Sequence, residues 1–207
     1  MDYRETYLKI RESLQARRDD FIRELIALTE IPSVEGPAAP GAPFGTGCRE
    51  ALEAVERLTA SYGYRTEPKY DHGYLLAYAG NLQADRTIGV FSHADVVPAG
   101  EAWTLTQPFR PIEKDGFVIG RGVADNKEAV LMGLFAAHAI ETLRLPLHSR
   151  LLLCTGSNEE TGMLDMRAFA ENETMPDVSL VPDNGFPVCR GERGIFRFWA
   201  QSGDVLS

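Results

Sequence analysis

The stretch KEAVLMGLFAAHAIETL, residues 127–143, carries apolar side chains nearly all the way round a helix. A helix of that kind cannot face water along any stripe, so it must be buried against other elements. Short apolar segments on either side predict the sheet that buries it: Tyr74–Ala79, Thr87–Ser92 and Arg150–Thr155, with Val178–Val181 and Ile195–Ala200 as further strands. Strands that alternate with helices imply an α/β domain with a mixed, largely parallel sheet. With 207 residues, 44% of them hydrophobic, the chain can bury one sizeable core and fits one domain over 1–207.

Ahead of the sheet, residues from Tyr3 to Thr29 alternate charges with Leu8, Leu14, Phe21, Leu25 and Leu28, which predicts one amphipathic helix. Ile31-Pro32 ends it, because the residue before a proline is pushed out of the helical region. EGPAAPGAPFGTG, Glu35–Gly47, reads as loop, and CREALEAVERLTASYG as a second helix stopped by Gly63.

Charge and cysteine content narrow the function. Lys and Arg number 21 against 30 Asp and Glu, a formal charge of −9, which repels phosphate backbones and argues against nucleic acid as a partner. No apolar run is long enough to span a bilayer, and the charged start lacks a signal-peptide segment. Cys48, Cys154 and Cys189 lie far apart without a CxxC spacing, as free thiols in a reducing compartment do. The expectation is a cytoplasmic protein with no membrane partner.

In open α/β sheets, ligands sit beyond the carboxyl ends of the strands. His93 and Asp95 follow one predicted strand in SHADVVPAG, Glu159 and Glu160 another in GSNEETG, and Asp183 a third in PDNGFP. Asp125 lies just before the buried helix. Imidazole nitrogen and carboxylate oxygen form a ligand set suited to Zn²⁺, with Mn²⁺ or Co²⁺ as substitutes. Residues two apart on a strand point the same way, so Asp95 could hold the His93 ring. Adjacent residues in extended chain point apart, so Glu159 and Glu160 need not share one job. Each motif also has a plain reading. Ser157-x-x-Glu160 fits a capping box, Asp125 a helix cap, His93-x-Asp95 a hydrogen-bonded pair and Pro182–Gly185 a turn. HExxH, G-x-S-x-G and P-loop patterns are absent.

SHADVVPAGEAWTLTQPFRPIEKDGFVIGRGVADNK, followed by GSNEETG and VPDNGFPVCRGERG, resembles the dizinc amidohydrolase and exopeptidase family. That family includes carnosinase, bacterial Xaa-His dipeptidases, glutamate carboxypeptidase, aminoacylase and acetylornithine deacetylase. The likeness runs from about Phe21 to Arg193 and is nearest to the dipeptidase branch. It implies a three-layer α/β/α zinc-exopeptidase-like catalytic domain and two Zn²⁺ per complete site. By position, His93, Asp125 and Asp183 would hold the first zinc and Asp125 and Glu160 the second. Glu159 would be the general base, Asp95 the acid that clamps His93, and the Asp125–Asn126 peptide cis. An Asp is common where this chain has Asn126.

The implied chemistry is amide hydrolysis in dipeptides or short peptides. The alternatives are deacylation of N-acyl amino acids, as by acetylornithine deacetylase or succinyl-diaminopimelate desuccinylase, and a non-catalytic metal-binding domain. The resemblance also implies a longer chain, with a lid domain through which relatives form homodimers and a late histidine on the second zinc. The histidines here are His72, His93, His138 and His148, none in a context matching that ligand. The expectation is therefore an N-terminal part of the catalytic domain, without the lid and the C-terminal segment, and with little or no activity alone.

Overall fold

The computed structural model describes residues 2–191, so the predicted strand Ile195–Ala200 lies outside the described residues. The chain forms helices α1 (Tyr3–Ala16), α2 (Arg18–Thr29) and α3 (Thr46–Ser61), then strands β1 (Arg65–Lys69), β2 (Tyr74–Gly80) and β3 (Thr87–His93). A short hairpin, β4 (Ile112–Lys114) and β5 (Phe117–Ile119), precedes α4 (Glu128–Thr142), β6 (Arg150–Gly156), α5 (Leu164–Asn172) and β7 (Val178–Leu180). The main sheet has the order β1-β2-β6-β3-β7. It is mixed: β1/β2 and β2/β6 are antiparallel, while β6/β3 and β3/β7 are parallel.

The alternating faces of the strands feed two different cores. Leu75 and Ala79 on β2 and Leu151 on β6 point to one side, where they join Leu52 and Val55 of α3 and Val130, Leu134 and Ala137 of α4. Tyr74, Leu76, Leu152 and Cys154 point to the other, where Phe169 of α5 covers them. Helices on both faces of one sheet make the three layers expected. The first helical layer is thick, because α1 and α2 add a further packing level on α4 through Phe21, Leu25, Leu131 and Phe135.

Three elements differ from the sequence reading. The single helix over 3–29 is two helices, broken at Arg17, whose φ of −110° and ψ of 17° are not helical. The break lets the Arg17 guanidinium leave the helix surface and donate to Asp20 and to the Tyr62 hydroxyl while lying 4.9 Å from the Phe135 ring centre. β1 was not expected, because RTEPK lacks apolar alternation; as the outermost strand it tolerates Pro68, whose missing N–H costs little at an edge. The β4–β5 hairpin turns on Asp115-Gly116, both at positive φ, an Asp-Gly turn signal that the sequence did carry.

Two parallel crossovers place the functional rim. The chain runs from β3 through α4 to β6 on one side of β3, then through α5 to β7 on the other. α4 and α5 lie on opposite faces, and the carboxyl ends of the parallel strands β6, β3 and β7 lie side by side.

Candidate active site

His93 is the last residue of β3 and is 3% exposed. Its Nδ1 lies 3.1 Å from the Asp95 backbone carbonyl and 3.4 Å from Asp95 Oδ1. The ring is therefore aimed by Asp95 through main chain and carboxylate together. The opposite nitrogen, Nε2, points at acids from three other segments. Asp125 Oδ1 is 3.2 Å away, Asp183 Oδ2 3.7 Å and Glu159 Oε2 3.8 Å. Among the described residues, no hydrogen bond forms at this buried Nε2. Donor atoms of His93, Glu159 and Asp183 lie within 4.8 Å of one another.

Each acid reaches the rim by a different local device. Asp125 sits in the irregular turn Val123–Lys127, at φ −137° and ψ 88°, and does not cap α4; its side chain is 66% exposed at the rim. The Asp125–Asn126 peptide is cis. Next to it, Lys127 is wholly buried, and its ammonium donates to the Leu28 and Ile31 carbonyls, tying the turn to the end of α2. Burial pushes that ammonium down to about 8, against the nearby negative charge of Asp95. Asp183 follows β7 in the Pro182–Gly185 loop.

The Ser157–Glu160 segment is not a capping box. Ser157 Oγ donates to the Gly73 carbonyl, and the first turn of α5 is held instead by Asn158 Oδ1, which accepts from the Leu164 amide. Glu159 and Glu160 diverge as adjacent residues should. Glu159 enters the His93 cluster, while the Glu160 carboxylate stands outside it and feels the charge of Asp125.

Asn126 was noted in the sequence only as a departure from the family's Asp, and the structure gives it a function that the sequence reading missed. Its Oδ1 accepts from the His93 amide at 3.2 Å, and its Nδ2 donates to Asp183 Oδ1 at 2.7 Å and to the Pro182 carbonyl at 3.2 Å. An ionised carboxylate could make the first contact but not the second, since it has no proton to donate to another carboxylate. Only the neighbouring charges would have hinted at this in the sequence.

Electrostatically the rim is acid-rich. Asp95, Asp125, Glu159 and Asp183 face one imidazole, and Glu160 adds its charge nearby. Burial opposes the His93 imidazolium, yet Asp95, Glu159 and Asp183 outweigh it and raise the ring to about 9. Burial first, and then neighbouring carboxylates, raise Glu159 and Glu160 against the opposing pull of His93. An excess of carboxylates around a buried imidazole nitrogen that makes no hydrogen bond among the described residues is the arrangement a divalent cation satisfies, by supplying both charge and a bond to nitrogen. The other described histidines stand apart: His138 packs edge-on against Tyr62, and His72 stacks near Tyr74.

Residues 89–191, which hold the whole rim, match the model of peptidase family M20/M25/M40. Residues 89–191 are thus similar to this family. A Bacillus subtilis (strain 168) protein named as a dipeptidase, YtjP, is 32% identical over 184 residues, covering 86% of this chain and 38% of its own length. A Staphylococcus aureus (strain USA300) protein, also named as a dipeptidase, is 31% identical over 193 residues, with 91% and 40% covered. The chain thus spans about 40% of the length of the curated relatives it matches. Human carnosine dipeptidase 1 superposes with a TM-score of 0.73 at 24% identity, over 86% of this chain and 41% of that one. The di-peptidase Dug1p of Saccharomyces cerevisiae gives 0.69 at 19%, over 79% and 37%. These two likenesses establish the fold. Among the described residues, no helix is long and apolar enough to cross a membrane.

Proposed function

We propose that the rim is the metal-binding part of a peptidase active site that cleaves the amide bond of dipeptides or short peptides, and that this chain is the N-terminal part of the catalytic domain. The observation that carries the reading is the buried Nε2 of His93, without a hydrogen bond and faced by acids from three other segments. The relatives named as dipeptidases support the substrate class. His93, Asp125, Glu160 and Asp183 would hold metal, with Zn²⁺ suited best to this donor set and Mn²⁺ or Co²⁺ as substitutes. When bound, such ions supply Lewis acidity toward a carbonyl oxygen and water.

The remaining work falls to the chain's own side chains. Asp95 and Asn126 fix the ring and backbone of His93, so its Nε2 is presented in one direction. Glu159 reaches the same centre from a separate loop, where its carboxylate can take the proton of the attacking water and return it to the leaving amine.

The test is release of free amino acids from a dipeptide panel and from N-acetyl amino acids, with Zn²⁺ added. Cleavage of the dipeptides, lost in Glu159→Gln, supports the proposal. Cleavage of N-acetyl amino acids alone would make the site a deacylase. Metal uptake with neither cleavage, also after the rest of the catalytic domain is supplied from a relative, would make the chain a metal-binding domain.

A further inference from the structure

The Ser157–Glu160 segment carries a device that the reaction described above does not use directly. Four successive backbone amides in it are each held by a buried carboxylate. Ser157 N and Asn158 N donate to Asp165 Oδ2 at 2.7 and 2.9 Å. Glu159 N and Glu160 N donate to Asp95 Oδ1 and Oδ2 at 3.2 and 3.1 Å. Asp165 is 0% exposed and Asp95 1%. Asp165 Oδ1 also accepts from the Met166 amide at 2.7 Å, which locks the carboxylate to the first turn of its own helix.

The sequence makes room for this arrangement. A Cβ on Gly156 would stand 2.4 Å from Asp165 Oδ2, so any side chain there would expel the carboxylate. Four residues further along α5, Phe169 anchors the same helix in the core against Tyr74 and Phe91. Asp165 is thus rigidly placed on one side of the loop, and Asp95, which also aims His93, on the other.

We infer that Asp165 is a positioning residue for the Glu159–Glu160 pair: with Asp95 it forms a two-carboxylate clamp on the backbone that presents both glutamates to the metal rim. The inference rests on the reading of that pair as part of a metallopeptidase site, but the clamp itself is a property of the polypeptide. Charge-assisted bonds to amides are short and directional, so they fix the backbone of a loop that has no regular secondary structure. In Asp165→Ala both acceptor oxygens are lost, so the Ser157, Asn158 and Met166 amides are all released.

The test combines amide hydrogen exchange with metal titration on the full 207-residue chain. Asp165→Ala should speed exchange at least tenfold at Ser157 and Asn158, and also at Glu159 and Glu160, which it does not touch. It should weaken Co²⁺ binding about tenfold, as loss of outer support for metal ligands does, and shift the Co²⁺ visible spectrum. Gly156→Ala, which displaces the same carboxylate, should reproduce all three effects. Phe135→Leu, which loosens the core on the opposite face of the sheet from α5, should leave the spectrum and the affinity unchanged within twofold. Faster exchange confined to Ser157 and Asn158, or Co²⁺ binding altered equally by Phe135→Leu, would overturn the inference and leave Asp165 as ordinary scaffold. If the wild-type chain takes up no Co²⁺, the metallopeptidase reading fails, and the exchange pattern alone decides the clamp.

Discussion

Phe169→Ala tests how the thin layer of the fold is held. α5 is the helix that covers the Tyr74 face of the sheet, and Phe169 is its one fully buried apolar side chain. It is 1% exposed and makes edge contacts with Tyr74 at 5.7 Å and 70° and with Phe91 at 5.2 Å and 88°. Truncating a buried phenylalanine costs about 3–5 kcal/mol, from lost transfer energy plus the cavity left behind. The two ring contacts, each worth about 0.5–1.5 kcal/mol beyond area, place this site at the upper end. For a chain of this size, about 2–4 °C is lost per kcal/mol, so a cost of about 5 kcal/mol lowers the melting midpoint by roughly 10–20 °C. Phe169→Leu keeps most of the volume and should cost no more than about 1.5 kcal/mol. Urea titration with a common slope reads both values. A loss below about 1 kcal/mol for Phe169→Ala would refute the view that this side chain anchors α5.

Other positions follow the same reasoning. Gly73 sits at φ +76°, and a Cβ there would stand 2.2 Å from the Phe44 ring, so Gly73→Ala should lower stability by more than about 1 kcal/mol in thermal unfolding. Arg17→Ala removes the bonds to Asp20 and Tyr62 and the contact over Phe135, and should cost roughly 1–2 kcal/mol in the same assay. Asn126→Asp replaces the donor to Asp183 with a like charge. Calorimetric Zn²⁺ titration should show affinity weakened at least about tenfold, and unchanged affinity would remove Asn126 from the account.

Much of the fold was legible because its strongest signals were hydrophobic. The all-round apolar helix 127–143 and the runs at 74–79, 87–92 and 150–155 matched observed elements to within a residue or so, since a buried segment has few other ways to satisfy its composition. The break at Arg17 was not legible, because both flanking helices share one amphipathic pattern and the cause is a tertiary contact with Tyr62 and Phe135. β1 was hidden for the opposite reason: an edge strand can be polar and carry proline. At the rim, strand-end placement pointed to His93, Asp125, Glu159 and Asp183, whose side chains the structure brings together. Asp165 escaped notice, and Asn126 was noted only as a departure from the family's Asp, because they act on backbone amides and on other side chains, and such bonds leave no spacing in the sequence.

The most direct test of the central claim is metal content by mass spectrometry after dialysis against Zn²⁺, for the wild-type chain and for His93→Ala. The account expects at least about one ion retained per wild-type chain and its loss in a variant that remains folded, because His93 Nε2 is the buried donor around which the acids gather. A folded wild-type chain that retains no metal, or a variant that retains as much as wild type, would contradict it.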